Sequence, residues 1–208
     1  MVFYKVLDAS GCSCNGGSLK WSLPTKNDDG TWTPGEWMPE IEGKLVECKN
    51  GYHLATLEQL IGWLNARIFV AETDGELIEA SDGDKWVARK VRLVAETAWN
   101  ERTARLFAAD CAEHVLYLYE RDYPADKRPR MAIATARKYA NGEATLEELT
   151  AAWYAAGYAA GYAAGYAAGY AAEAAVEAAA WAADGAAARA AARDAEREWQ
   201  SGRLAEYL

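Results

Sequence analysis

The sequence predicts an α+β protein: an N-terminal antiparallel β-meander with one helix, followed by a C-terminal Ala-rich helical hairpin or bundle. Three observations predict this. Residues 86–94 alternate, with Val87, Arg89, Val91 and Leu93 on one face and Trp86, Ala88, Lys90, Arg92 and Val94 on the other, as a strand with one buried face requires. The composition shifts at Trp99-Asn100, after which apolar residues recur at helical spacing. Between residues 151 and 172 a unit Tyr-Ala-Ala-Gly repeats, with Tyr at 154, 158, 162, 166 and 170 and Gly at 157, 161, 165 and 169. The boundary divides the chain into an α+β region, 1–98, and a helical region, 99–208.

In the first region, residues 2–8 read as a short strand ending at the turn formers Ser10-Gly11. The next 30 or so residues are rich in Gly, Pro, Asn and Asp and carry Trp21, Trp32 and Trp37, which predicts hairpins of Trp-bearing strands. Such a cluster is either an aromatic platform for a ligand or the core of a sheet poor in aliphatics. Leu45–Cys48 reads as a further strand, and Asn50-Gly51 as a turn. Thr56 with Gln59 forms a capping box, and Leu57, Leu60, Ile61 and Leu64 keep helical spacing behind it. Strands follow at 68–72, 76–79 and 86–94, separated by turns at Asp74-Gly75 and Asp82-Gly83.

In the second region, Asn100 is a candidate N-cap, and Ala104, Phe107, Ala108, Cys111, Val115, Leu118 and Tyr119 make one apolar stripe on a helix ending near Asp122. Tyr123-Pro124 breaks it. Asp126 is expected to cap a second helix that stops at Asn141-Gly142. Thr145 with Glu148 is a second capping box and opens the repeat helix. Gly185 should end that helix, and residues 186–199 should return as its antiparallel partner.

A spacing of four on an α-helix advances 400°, so each Tyr of the repeat sits about 40° further round than the last and the five form a slowly winding ridge. The glycines form a groove beside it. Interior glycines cost roughly 1 kcal/mol each relative to Ala, a cost that close approach of another backbone would offset. The expected interface is therefore Tyr154, Gly157, Tyr158, Gly161, Tyr162, Gly165, Tyr166, Gly169 and Tyr170, and the expected assembly a homo-oligomer formed through it. A membrane span is rejected: the stretch has no Leu, Ile or Val, and Tyr prefers the membrane interface to its centre.

Net charge is −9 over 208 residues and is spread along the chain, so neither half offers the basic field that nucleic-acid binding needs. The N-terminus has no basic segment leading into a long apolar run, which predicts a cytoplasmic protein without a signal peptide. Four cysteines at irregular spacing fit a reducing compartment better than a disulfide scaffold.

Two histidines limit the catalytic options. His53 with Cys12, Cys14 and Cys48 has the ligand types for zinc, but Cys-x-Cys is tighter than the usual pair and Cys48 to His53 is loose, so a structural His53 is preferred. Cys111 and His114 share a helix edge, yet Cys111 falls on the apolar stripe, where a thiol packs as a hydrophobe. No phosphate loop, nucleophile elbow, metalloprotease motif or dinucleotide fingerprint occurs. Lys127-Arg128-Pro129-Arg130 at a helix start is either an acceptor for phosphate or an acidic partner, or a set of salt bridges to Glu120, Asp122 and Asp126; the second reading is preferred.

Two stretches resemble known families. Gly51-Tyr52-His53-Leu54, Trp63-Leu64, Gly75-Glu76, Asp84-Lys85 and Val91-Arg92-Leu93 resemble an uncharacterised domain of bacteriophage and actinobacterial proteins. Cys111 to Leu116, Tyr123-Pro124, Asp126, Arg128-Pro129-Arg130, Ala132-Ile133, Ala136-Arg137 and Gly142-Glu143, with the Ala-rich tail behind them, resemble immunity proteins of bacteria and their phages. Neither family brings catalytic residues to transfer. Together with the negative charge and the absence of a catalytic set, the resemblance implies a non-enzymatic factor of phage or bacterial conflict, immunity or anti-defence, that binds and inhibits a partner protein; no cofactor and no metal are expected. The candidate binding residues are Trp21, Trp32, Trp37, His53, Arg128 and Arg130. One alternative is a binder that sequesters a nucleotide-type signal, stacking its base on Tyr or Trp and holding phosphate at Arg128 and Arg130. Another is an enzyme using His53 and Glu58 as an acid/base pair.

Overall fold

The alternating segment becomes the central strand of an antiparallel sheet. β6 (Trp86–Glu96) pairs with β5 (Arg67–Glu79) on one side and with β4 (Tyr52–Leu54) on the other, and β5 pairs with β1 (Phe3–Leu7), in the order β1-β5-β6-β4. This computed structural model describes residues 1–14, 17–157 and 182–208, with 182–192 described by backbone alone. The chain forms two units, Met1–Asn100 with Glu198–Leu208, and Glu101–Arg197. N-terminal sheet and C-terminal helices together make the α+β architecture that the sequence predicts.

The two edges of the sheet meet. Tyr4 in β1 and Ala55, just after β4, exchange backbone hydrogen bonds of 2.8 and 3.0 Å, so the sheet closes on itself and neither edge there is left to recruit another chain. Where β4 stops, residues 35–41 cover β6 instead: Gly35, Met38 and Ile41 donate to the carbonyls of Leu93, Val91 and Arg89 at 2.9, 2.9 and 3.0 Å. The core enclosed includes Leu7, Leu45, Leu60, Ile68, Phe69, Val87, Val91 and Leu93. Each contributes about 1.5–3 kcal/mol by leaving water. The charged residues of β6 lie across from acids on β5, with Arg92 2.6 Å from Glu72, Lys90 3.4 Å from Asp74, and Arg89 paired with Glu76.

Two expected details are corrected. Asp74-Gly75 is not a turn, because β5 runs through it. Asp74 faces Lys90 and Leu77 faces Ala88, so one extra residue is accommodated as a bulge, with Gly75 at φ +79°. A bulge of this kind and a hairpin turn both call for positive φ, which is why Asp-Gly suits either. Leu45–Cys48 is not a strand but part of a tight loop in which Val46 and Asn50 pair and Cys48 has φ +58°. Only Leu45 of this segment is buried. The Trp-bearing hairpin exists as β2 (Thr25–Lys26) and β3 (Trp32–Thr33), while Trp21 and Trp37 lie outside strands.

The capping-box residue Thr56 opens α1 (Leu57–Leu60): its N–H donates to Gln59 Oε1 at 2.9 Å, and a 3₁₀ turn, Ile61–Trp63, follows. The end of the chain completes this unit. Leu204 is fully buried, and Ala98 N–H donates to the Leu208 carbonyl at 3.0 Å.

In the second unit, α2 (Glu101–Asp122) and α3 (Arg128–Ala140) are joined by polar contacts along their length. Arg102 Nη2 donates to Asn141 Oδ1 at 2.7 Å, Arg137 reaches Asp110 and Glu113 at 2.6 Å each, and Arg130 reaches Glu120 at 2.6 Å. The N-cap of α3 is Lys127 rather than Asp126. Asp126 Oδ1 nevertheless accepts the Arg128 N–H at 3.0 Å and so satisfies one of the open donors of the first turn. The second capping box is formed by Thr145 and Glu148, with bonds of 2.7 and 3.2 Å, and opens a helix, α4, over residues 146–157. Gly185 does not end a helix: it lies inside α5 (Ala182–Ala205).

Candidate functional site

In the first unit the strands β1 and β4, the loop after β1 and the tight loop 45–51 surround a cavity of about 550 Å³. Its walls include Tyr4, Lys5, Cys14, Trp21, Ile41, Tyr52, His53, Trp63 and Lys85. Ring–ring contact fixes part of the wall, since Trp21 and Tyr52 meet edge to face with centroids 5.4 Å apart. Trp21 Nε1 donates to Ser13 Oγ at 2.9 Å and Tyr52 Oη to the Pro39 carbonyl at 2.7 Å, so both polar ends are satisfied away from the apolar faces.

Lys5 lies in this wall with its ammonium largely enclosed. Its Nζ donates to the His53 carbonyl at 3.0 Å and lies 5.0 Å from the Trp21 ring centroid, and no carboxylate pairs with it among the described residues. Burial pulls the ammonium pKa down to about 8. Cys14 does not supply a compensating charge: its Sγ donates to the Val6 carbonyl at 3.6 Å, and burial pushes the thiol pKa up.

His53 sits in β4, a few residues before α1. Its Nε2 accepts the Cys48 N–H at 3.0 Å, which fixes a lone pair at that nitrogen and helps to hold Cys48 in its left-handed conformation. Burial first, and then the charges of Lys5 and Lys85, lower the His53 pKa, so the ring is neutral at pH 7. No hydrogen bond or ion pair joins His53 to Glu58 among the described residues. The four cysteines are unbridged. Cys12, Cys14, Cys48 and His53 do not form a ligand cluster among the described residues; Glu47, Asp82 and Asp84 do come together, but around the ammonium of Lys85, at 3.1, 3.9 and 2.6 Å. Burial works to lower the Lys85 pKa, and the bonds to Asp84 and Glu47 outweigh it and hold the group charged.

The sequence-predicted binding residues are therefore scattered. Trp21 and His53 line the cavity. Trp32 lies in β3 beside the ammonium of Lys26, and Trp37 lies beneath Lys90 and Arg92, 5.2 and 4.7 Å from its ring centroid. Arg128 and Arg130 belong to the second unit, where Asp126 and Glu120 engage them at 2.5 and 2.6 Å. Asp126 accepts several bonds from Arg128 and one from Tyr119 Oη, which holds its carboxyl far below the usual range. Of the repeat, Tyr154 and Gly157 are exposed, and a Cβ built on Gly157 would meet none of the described residues within 4 Å. Tyr158, Gly161, Tyr162, Gly165, Tyr166, Gly169 and Tyr170 lie outside the described residues. Lys5 is missing from the sequence-predicted set; its only signal is a lone charge within the apolar run Val2-Phe3-Tyr4-Lys5-Val6-Leu7.

The second unit instead presents large apolar side chains to solvent. Tyr117 is 64% exposed, Met131 63%, Leu146 61%, Trp153 66% and Tyr154 65%. Residues 97–193, which hold this surface, match the model of one family. That family is described as Imm-5 like putative immunity protein. The match runs from just before α2 into α5, and the matched stretch is nearly coextensive with the second unit, Glu101–Arg197. It leaves the lysine-lined cavity outside. No curated protein and no solved structure matches the chain. Among the described residues, no helix is long and apolar enough to cross a membrane.

Proposed function

We propose that the chain is a non-enzymatic conflict factor, of immunity or anti-defence type, that binds a partner protein through its helical region and inhibits it. The family match over residues 97–193 carries this reading, because an immunity protein works by engaging the protein it neutralises. The exposed Tyr117, Met131, Trp153 and Tyr154 support it: aromatic and Met side chains supply much of the binding energy at protein interfaces. The net charge of −9 favours a partner with a basic surface and would speed the encounter. Resemblance of the N-terminal half to a phage and actinobacterial domain fits the same setting. Nucleotide capture at Arg128 and Arg130 is the weaker reading, since a phosphate there would compete with Asp126 and Glu120.

The test has two stages. Proteins captured from the native host by the wild-type chain, but not by a Tyr117→Glu/Trp153→Glu variant of unchanged melting temperature, are identified by mass spectrometry. Each is then expressed in a surrogate bacterium with and without the chain. Growth arrest relieved by wild type and not by the variant is the expected result; a variant that relieves arrest as well as wild type overturns the assignment of this surface.

A further inference from the structure

The cavity of the first unit has an unusual charge content. The chain carries 31 acidic residues against 22 basic ones, yet no Asp or Glu is among the described residues that line this cavity, whereas Lys5, Lys49 and Lys85 are. Lys85 is already neutralised by Glu47 and Asp84. Lys5 is not. Its ammonium keeps one bond, to the His53 carbonyl, and one ring, Trp21, while an ammonium has three donors to place. A half-buried cation without a counter-charge lowers the stability of the empty fold. Leu19, which is exposed, and the partly exposed Ile41 and Trp63 give the same cavity apolar surface, in a volume typical of small-molecule sites.

We propose that this cavity binds a small organic anion, whose acidic group is taken by the Lys5 ammonium and whose apolar or aromatic body lies against Leu19, Ile41 and Trp63. The anion supplies the missing counter-charge in a setting where an ion pair is stronger than in water. A neutral ligand of the same shape would leave Lys5 as it is and gain only the apolar contact. The negatively charged Glu47, Asp82 and Asp84 lie around Lys85, so the acidic group is directed to Lys5 rather than to that side of the cavity. Because the cavity lies outside the matched stretch, this site and the partner surface stand or fall separately.

Two dyes that differ in one sulfonate test it on the full-length chain: 8-anilinonaphthalene-1-sulfonate, and N-phenyl-1-naphthylamine, which lacks the charge. The sulfonate dye is expected to bind with one-to-one stoichiometry and at least tenfold more tightly than the neutral dye at pH 7. Its affinity should fall by a similar factor between pH 7 and pH 10, as the Lys5 ammonium loses its proton and the Cys14 thiol facing it begins to ionise, while that of the neutral dye stays level. Lys5→Met should abolish the difference between the dyes and Lys5→Arg should keep it. Benzoate and phenyl phosphate as competitors separate a carboxylate ligand from a phosphate. Equal affinity for the two dyes in the wild-type chain, a sulfonate affinity indifferent to pH, or no saturable binding at all would each overturn the proposal. The pH series needs no variant, so poor folding of Lys5→Met leaves the decision intact.

Discussion

Arg137 on α3 places a guanidinium nitrogen 2.6 Å from the carboxylate of Asp110, which is only 9% exposed on α2. The same nitrogen lies 2.6 Å from Glu113, so one cation ties two acids, one turn apart on α2, to the neighbouring helix. The arrangement raises the guanidinium pKa and, mainly through the bond to Arg137, lowers that of Glu113. Charge-assisted hydrogen bonds of this kind contribute about 1.5–3 kcal/mol. Arg137→Met should therefore destabilise the helical unit by roughly 2 kcal/mol at pH 7. A carboxyl whose folded pKa is depressed contributes stability above its unfolded value, near 4.5 for Glu113, and loses it as pH falls through the folded value. The gap between wild type and Arg137→Met, measured from urea unfolding midpoints, should accordingly be full at pH 7 and shrink below pH 4.5.

Gly35 marks the tightest backbone approach in the first unit. A Cβ built on it would sit 2.2 Å from the Ser22 carbonyl oxygen, and its own N–H donates to Leu93, so neither strand of chain can step aside without loss. Gly35→Ala should cost on the order of 1–3 kcal/mol, the range for overpacking. Gly62→Ala, where nothing lies within 4 Å, is the control and should leave the melting temperature level or slightly higher. Thermal denaturation of the two variants side by side decides it.

How much of this was legible in the sequence depends on whether the signal was local. Thr56 with Gln59 and Thr145 with Glu148 close their capping boxes within four residues, so spacing alone specifies them. β6 was legible because alternation over nine residues has one explanation. Asp74-Gly75 was ambiguous because a turn and a bulge ask the same backbone conformation of Gly75, and only the register against β6 tells them apart. Leu45–Cys48 looked like a strand because three apolar residues fit many conformations; its loop is held from far along the chain by Ser81, whose N–H and Oγ donate to Glu47, as well as by the bond from Cys48 to His53. Lys5 was the least legible. A charge inside a short strand ordinarily marks the solvent face, and its enclosure follows from the Tyr4–Ala55 closure, a pairing across 51 positions that no local pattern announces.

His53 gives the first unit a pH dependence with a definite sign. Its folded pKa lies below the ordinary value of 6.5, chiefly through burial, so the unfolded chain binds the proton more readily. Stability attributable to the neutral ring is present above pH 6.5 and is lost as pH falls through the folded value. Protonation would also replace the lone pair that accepts the Cys48 N–H with a second donor. Urea midpoints of the wild type should drop between pH 7.5 and pH 5 by more than those of His53→Gln. An equal drop in both would place the acid sensitivity elsewhere.

The Tyr-Ala-Ala-Gly repeat makes its own prediction at its first glycine. Gly157 lies in α4, and among the described residues nothing comes within 4 Å of where its Cβ would be, so the helix penalty of glycine is not offset there by close packing. Gly157→Ala should raise the stability of an isolated chain by up to about 1 kcal/mol. The spacing of the repeat in the sequence predicts a second copy packed against it. Sedimentation velocity over a concentration series then distinguishes the cases: wild type should self-associate, Gly157→Ala should associate nearly as well, and Gly157→Leu should shift the equilibrium towards monomer by tenfold or more. A wild-type chain that stays monomeric throughout would leave the repeat without a packing role between copies.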